Sequence, residues 1–138
     1  MAVALDSSVV IGFLDRSDDL HKVADEAVRD LMRSEHLVVS AITFAEVLTG
    51  ARLGHHDEGR VKGFFDELIC RILSVDVDIA DYAAHLRART KSLAMPDALI
   101  AATAELDPEV GLLVSGDQRI GKLKDLDCAV RLLKVNEG

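Results

Sequence analysis

The sequence predicts an α/β protein, a three-layer α/β/α domain around a mainly parallel sheet of about five strands. Three observations carry that prediction. Short aliphatic runs recur along the chain, and they are apolar throughout, as strands covered on both faces are. Between them lie longer segments whose apolar residues return every three or four positions, the spacing of amphipathic helices. Polar residues of the capping type stand where one kind of segment gives way to the other. Strands alternating with helices imply a parallel sheet clothed on both sides, joined by right-handed crossovers.

In order along the chain, "VAL" (3–5) is the first strand. It stops at Asp6-Ser7-Ser8, after which "VVIGFL" starts a helix. Leu20, Val23, Ala24, Ala27, Val28, Leu31 and Met32 form a clear helical stripe. "HLVVS" (36–40) is the second strand, and Ser40 is placed to cap "AITFAEVLTGARLG", which should stop at Gly54. Val61, Phe64, Phe65, Leu68 and Ile69 repeat with helical spacing within a helix expected over 58–70. "RILSV" (71–75) reads as a third strand and "DIADYAAHLRART" as another helix. "LAMPDALIAATAEL" (93–106) is a helix of small residues opened near Asp97, with Pro96 suited to its first turn. "GLLVS" (111–115) and "AVRLLKV" (129–135) complete the strands.

The chain has 138 residues, 49% of them hydrophobic, which suffices for one domain with a full core. No repeat, low-complexity run or linker composition divides residues 1–138. The longest apolar runs are too short to span a bilayer, and no basic region followed by an apolar core marks a signal peptide. Cys70 and Cys128 lack metal-ligand spacing and sit among aliphatic residues, so they are expected to be buried thiols in a reducing cytoplasm. The net charge of −8 argues against a simple nucleic-acid-binding module, because phosphate would be repelled without cations. It is compatible with an acidic site neutralised by a metal.

Four acids stand where a parallel sheet gathers functional groups, at the carboxyl ends of strands. Asp6 directly follows the first strand, and Asp117 lies two residues beyond Ser115 at the end of the fourth. Glu46 is in about the second turn of the helix after the second strand, and Asp97 opens the helix before the fourth. Converging carboxylates raise one another's pKa or demand a counter-ion. Hard oxygen donors without His or Cys select Mg²⁺ or Mn²⁺, and such ions activate water against phosphodiesters. Each acid also has a plainer reading. Asp6 and Asp117 suit turns, Asp97 suits a helix N-terminus, and Glu46, away from the Phe44/Val47/Leu48/Ala51 stripe, suits solvent. Asp76 and Asp78 follow a strand too, so position alone leaves the choice open.

The stretches "VALDSSVVIGFL", "SAITFAEVLTGA", "MPDALIAATA" and "LLVSGDQRI" resemble, in order, the four motifs of the PIN domain. The resemblance is strongest to the VapC-type toxins of bacterial and archaeal toxin–antitoxin pairs. It implies an α/β/α PIN fold and a Mg²⁺-dependent endoribonuclease, with Mn²⁺ as substitute. Carried over by motif, the acids are Asp6, Glu46, Asp97 and Asp117, with Ser8 and Ser115 as supporting hydroxyls. Asp6 and Asp97 would be the principal metal ligands, and Glu46 and Asp117 would complete the metal site, partly through water, and orient the attacking hydroxide. Asp76 and Asp78 match no acidic motif position. The fourth motif departs from the pattern at Gly116, where a larger, often basic residue is common. The family also implies a small cognate antitoxin whose arm reaches the acids, and a homodimer. An apolar surface of Phe44, Val47, Leu48, Ala51, Phe64 and Phe65 supplies a second reason to expect the dimer.

Arg87, Arg89 and Lys91 before Asp97, and Arg119, Lys122 and Lys124 after Asp117, are candidate RNA-phosphate contacts, although cations near helix C-termini also suit the dipole. His55-His56 reads as a solvated loop and Tyr82 as packed against the sheet. Aromatics at 4% leave no base-stacking platform. Three rivals stand beside the toxin reading. One is a PIN nuclease of RNA processing. Another is a Mg²⁺-binding receiver-like signalling module, disfavoured because Ser7 and Ser8 follow Asp6 where an acidic pair is needed. The last is a phosphohydrolase with an Asp nucleophile, whose D-x-D start is broken by Ser8.

Overall fold

A computed structural model of the chain describes residues 1–135. In chain order its elements are β1 (Ala2–Leu5), α1 (Ser7–Leu14), α2 (His21–Leu31), β2 (His36–Ser40), α3 (Ala41–Arg52), α4 (Glu58–Glu67), β3 (Arg71–Leu73), α5 (Val77–Arg89), α6 (Met95–Leu106), β4 (Val110–Ser115), α7 (Gln118–Gly121) and β5 (Ala129–Leu132). The strands form one sheet in the order β3-β2-β1-β4-β5, with every neighbouring pair parallel. The chain builds outward from β1 through β2 to β3, then returns to the other side of β1 for β4 and β5. The order therefore reverses between β1 and β4. A crevice opens there at the carboxyl ends of the strands, the place where open parallel sheets bind ligands.

Side chains alternate along each strand, and so divide the core into two layers. Val3, Leu5, Leu37, Val39 and Val114 pack with α1 to α4. Ala2, Ala4, Val38 and Leu113 face the other way, against α5 and α6. Ala2 and Ala4 meet buried Ala98, Ala101, Ala102 and Ala104 of α6, small residues on both sides that let the helix lie close on the sheet. That close seat brings the first turn of α6, with Asp97, to the end of β1.

Capping works largely as the residue types demand. Ser40 Oγ accepts from Ile42 N at 3.1 Å, and Asp76 accepts from Ile79 N at 2.9 Å. Beyond α3, Gly54 has φ +85° and His55 N donates to Gly50 O at 2.9 Å, closing the helix in the left-handed manner that glycine favours. The α3 helix itself stops two residues before that glycine.

Several boundaries and environments differ from the sequence expectations. The third strand ends at Leu73, so residues 74 and 75 leave the sheet for the cap of α5. The fifth ends at Leu132, although Leu133 N still donates to Ser115 O at 2.7 Å. The α4 helix closes at Glu67, and α7 is a single turn too short to carry a periodicity. Cys70 is exposed and Cys128 half-buried; both are free thiols. At Cys128, burial and the nearby Glu105 carboxylate push the thiol pKa up to about 12. The apolar surface invoked for a dimer is spent inside the chain. Phe64 and Phe65 are 4% and 5% exposed, and Phe65 meets Phe44 edge-on at 4.9 Å while Phe64 lies 5.4 Å from Phe13. Packing of α4 against α1 and α3 covers that stripe instead of leaving it bare.

Candidate active site

Asp6 is the residue that follows β1, and its backbone N–H still donates to Val114 O of β4 at 2.9 Å. The strand pairing thus holds it at the β1–β4 crevice. It is only 2% exposed. Its Oδ1 accepts from Ser7 N at 2.8 Å. Its Oδ2 accepts from the Ser8 hydroxyl at 2.9 Å and from the Ser115 hydroxyl at 2.7 Å. Both hydroxyls also accept from the β4 loop, Ser8 from Gly116 N and Ser115 from Asp117 N, each at 2.9 Å. Two serines from opposite ends of the sequence therefore lace the end of β1 to the end of β4.

Gly116 has a steric reason. A Cβ built there would meet Leu20 Cδ2 at 2.6 Å and Ser8 Oγ at 3.3 Å. A larger residue would have to displace a buried leucine and press on the hydroxyl that holds Asp6.

Asp97 is the third residue of α6, whose N-cap is Ala94 with no side-chain capping bond. Its carboxylate is half-buried, and no hydrogen bond to it is made among the described residues. No capping bond therefore accounts for its placement, although it stands in the first turn, where the helix dipole favours a carboxylate. Asp117 does cap, accepting from Arg119 N at 2.9 Å at the start of α7. Its carboxylate is also gripped by the Arg119 guanidinium, Nε to Oδ1 at 3.1 Å and Nη2 to Oδ2 at 3.0 Å.

Glu46 is exposed on α3, as the solvent reading allowed, yet it is not idle. The Ser7 hydroxyl donates to its Oε1 at 2.7 Å, with Thr43 Oγ1 3.3 Å from the same hydroxyl. Ser7 and Thr43 are the residues that sequence reasoning missed. The i, i+3 spacing of Thr43 and Glu46 puts both on one helix face and was the available signal.

Charge couples three of these acids. Burial raises the Asp6 carboxyl above its ordinary value; the Ser115, Ser8 and Ser7 bonds oppose this, and the Asp117 charge adds to it. The Asp97 carboxyl is likewise raised, first by burial and then by the charges of Asp6 and Asp117. Burial would raise Asp117 too, but its hydrogen bonds and ion pair with Arg119 win and hold it low. Among the described residues, no three His, Cys, Asp or Glu side chains close tightly enough to hold a metal ion. The three aspartates feel one another's charge without converging on a point, as expected of like charges with one of them drawn to Arg119. The donor chemistry still fits a hard divalent ion. The donors are carboxylate oxygens in charge excess, Asp6 Oδ1 has a lone pair left, Asp97 is free, and a guanidinium stands where a cation is wanted.

Of the candidate phosphate contacts, the lysines alone are left open to solvent and without a described side-chain partner. Asp76 caps α5 and Asp78 lies in its first turn, and both line a cavity of about 950 Å³ that includes none of the four acids. Arg87 donates to Leu93 O at 2.6 Å and Arg89 pairs with Asp125 at 2.7 Å, so both serve the local fold. Lys91, Lys122 and Lys124 are exposed. The Tyr82 hydroxyl donates to the Asp125 carbonyl, pinning α5 to the segment before β5. His55 and His56 lie in the loop between α3 and α4, ring centroids 6.5 Å apart.

The family model described as PIN domain matches residues 3–126. Solved structures with similar folds include a toxin–antitoxin complex from Klebsiella pneumoniae, 27% identical, with a TM-score of 0.70 over 96% of this chain and 98% of that one. VapBC2 from Rickettsia felis, bound to a promoter DNA fragment, has a TM-score of 0.73 at 16% identity, over 97% of this chain and 100% of that one. Mycobacterium tuberculosis VapC20, a Sarcin-Ricin loop cleaving toxin, has a TM-score of 0.62 at 16% identity, over 80% of this chain and 86% of that one. No curated protein matches the chain significantly.

Proposed function

The chain belongs to the PIN domain family, and from that premise we propose that it is a Mg²⁺- or Mn²⁺-dependent endoribonuclease of VapC type, the toxin of a toxin–antitoxin pair. The observation that carries the reading is the buried Asp6, held by Ser7, Ser8 and Ser115 in the β1–β4 crevice and facing the charges of Asp97 and Asp117. Membership of the family sets aside the receiver and Asp-nucleophile readings. The 27% identical Klebsiella neighbour, itself a toxin–antitoxin complex, favours a toxin over an RNA-processing nuclease.

In this reading Asp6 and Asp97 hold the ion and Asp117 joins them. Bound there, a divalent ion supplies Lewis acidity toward a phosphate oxygen and acidifies a water for attack. The chain's own residues do the positioning. Ser8 and Ser115 keep Asp6 Oδ2 occupied, so that Oδ1 is the oxygen left for the ion. Ser7 holds Glu46 by Oε1 and leaves Oε2 to orient the attacking water and take its proton. Exposed Lys91, Lys122 and Lys124 meet RNA phosphates on a chain that is acidic as a whole. The partner is a small antitoxin whose arginine pairs with the acids. A homodimer rests on the family resemblance alone, since Phe64 and Phe65 are buried. The protein would act in the cytoplasm; among the described residues no helix is long and apolar enough to cross a membrane.

The test is cleavage of an end-labelled single-stranded RNA with Mn²⁺ and with EDTA. Metal-dependent products ending in 5′-phosphate and 3′-hydroxyl are expected. Cleavage that survives EDTA, or a 2′,3′-cyclic phosphate product, would refute the mechanism.

A further inference from the structure

Arg119 is placed to do more than cap a turn. Asp117 Oδ1 accepts from both Arg119 N and Arg119 Nε, at 2.9 and 3.1 Å, which fills its two lone pairs. Oδ2 accepts Nη2 at 3.0 Å and keeps one. The remaining nitrogen, Nη1, reaches Ser92 O at 3.4 Å in the loop that leads to Asp97. One guanidinium therefore spans Asp117 and the approach to Asp97, and its positive charge acts on both acids. The aspartates do not close around a common point, and Asp117 is the one engaged elsewhere.

We infer that Arg119 is a resident counter-ion of the acidic cleft, which competes with the divalent ion for Asp117 and passes to an RNA phosphate when the ion takes its place. The inference rests on the nuclease reading above. The exchange is feasible because the arginine is about half exposed, with 51% of its side chain accessible, and exposed ion pairs contribute little to stability. A bidentate guanidinium suits a phosphate as well as it suits a carboxylate, so the group released by Asp117 has a second use beside it. With Arg119 present, the excess charge of Asp6, Asp97 and Asp117 is partly balanced before any ion arrives. This lowers the repulsion that would otherwise spread the cleft of the empty protein.

Two effects of opposite sign follow from one substitution. Arg119→Ala should tighten Mn²⁺ binding by about tenfold, the scale Coulomb's law gives for removing a unit charge a few ångströms from a divalent ion in water-like dielectric. The same variant should raise the KM for a single-stranded RNA oligonucleotide at saturating Mn²⁺. Arg119→Lys keeps the charge without the fork, and should fall between wild type and Ala on both counts. Mn²⁺ affinity is read by calorimetry on each full-length protein, and KM by RNA cleavage. Unchanged or weaker Mn²⁺ binding by Arg119→Ala, while wild type binds Mn²⁺ and cleaves RNA, overturns the inference and leaves the nuclease reading standing. An unaltered KM beside a tightened metal site removes the phosphate role and overturns the exchange as stated. A wild-type protein that binds no Mn²⁺ overturns both.

Discussion

Asp97 brings a half-buried carboxylate to the cleft with no described hydrogen-bond donor to satisfy it, so its ionised form is maintained against burial and the charges of Asp6 and Asp117. Its folded pKa lies above its ordinary 3.8, and the native state therefore holds that proton more tightly than the unfolded chain. The sign is fixed by that inequality. The penalty is absent in strong acid and grows as pH rises through the raised value, so the metal-free protein carries it on the alkaline side of that value. Asp97→Asn should raise the melting temperature in EDTA at pH 7 by about 1–3 °C, with the gain vanishing near pH 4. It should also abolish Mn²⁺ binding and RNA cleavage. Melting curves at the two pH values and a calorimetric titration check this, and equal Mn²⁺ affinity in the two proteins would remove Asp97 from the metal site. Ser115 is the converse case. Its hydroxyl is fully buried, donates to Asp6 and accepts from Asp117 N, so Ser115→Ala leaves a buried carboxylate short of a donor and an amide short of an acceptor. A loss of about 1–3 kcal/mol is expected in urea unfolding, with weaker Mn²⁺ binding because Asp6 is no longer held.

At the scale of elements, the seat of α6 on the sheet decides how closely Asp97 approaches Asp6. Ala101 is 0% exposed, and Ala4 belongs to the same alanine-rich layer between helix and strand. Ala101→Leu should cost about 1–3 kcal/mol by overpacking and lift the first turn of the helix, so Mn²⁺ affinity should fall together with stability. Gly54→Ala provides the contrast. Gly54 has φ +85° with open space around it, so alanine should cost only backbone strain of about 1 kcal/mol and leave Mn²⁺ affinity unchanged. Unfolding and Mn²⁺ titration of both variants separate the two cases. The α1 and α3 helices show a different coupling, since Ser7 at the start of one donates to Glu46 in the second turn of the other. Position in a strand–helix unit, more than local chemistry, determines what each carboxylate meets.

For the whole molecule, the reversal of strand order at β1 and β4 makes one acidic crevice on a chain of charge −8. Such a cleft admits a cation, and the metal and an arginine of a partner should be alternatives there. An Arg-bearing antitoxin should therefore bind less tightly when Mn²⁺ is saturating, and changing that arginine to Ala should cost about 2–5 kcal/mol if the pair is desolvated. Partner titrations with and without Mn²⁺ measure this; affinity and inhibition that ignore both metal and arginine would exclude occupation of the acids.

What the sequence determined by itself was the layer architecture and the positions of the acids along it. Aliphatic runs and helical stripes encode which faces are buried, and Ser40 and Gly54 mark ends whose chemistry is local. Asp6 after β1 and Asp97 in the first turn of α6 were legible for the same reason, as strand and helix ends. What only the tertiary structure decided was who meets whom. Ser115 reaches Asp6 across 109 positions because β4 pairs with β1. Gly116 is small because Leu20 lies over it, and Phe64 and Phe65 are covered by Phe13 and Phe44. Cys70 lies exposed beside the edge strand β3, although Leu68, Ile69, Ile72 and Leu73 stand close to it in the chain. The grip of Arg119 on Asp117 joins residues only two apart, yet its reach to Ser92 and its charge on Asp97 depend on how α6 and β4 are seated. Periodicity reports the side of an element that faces inward; it carries no record of the strand order that brings distant ends together.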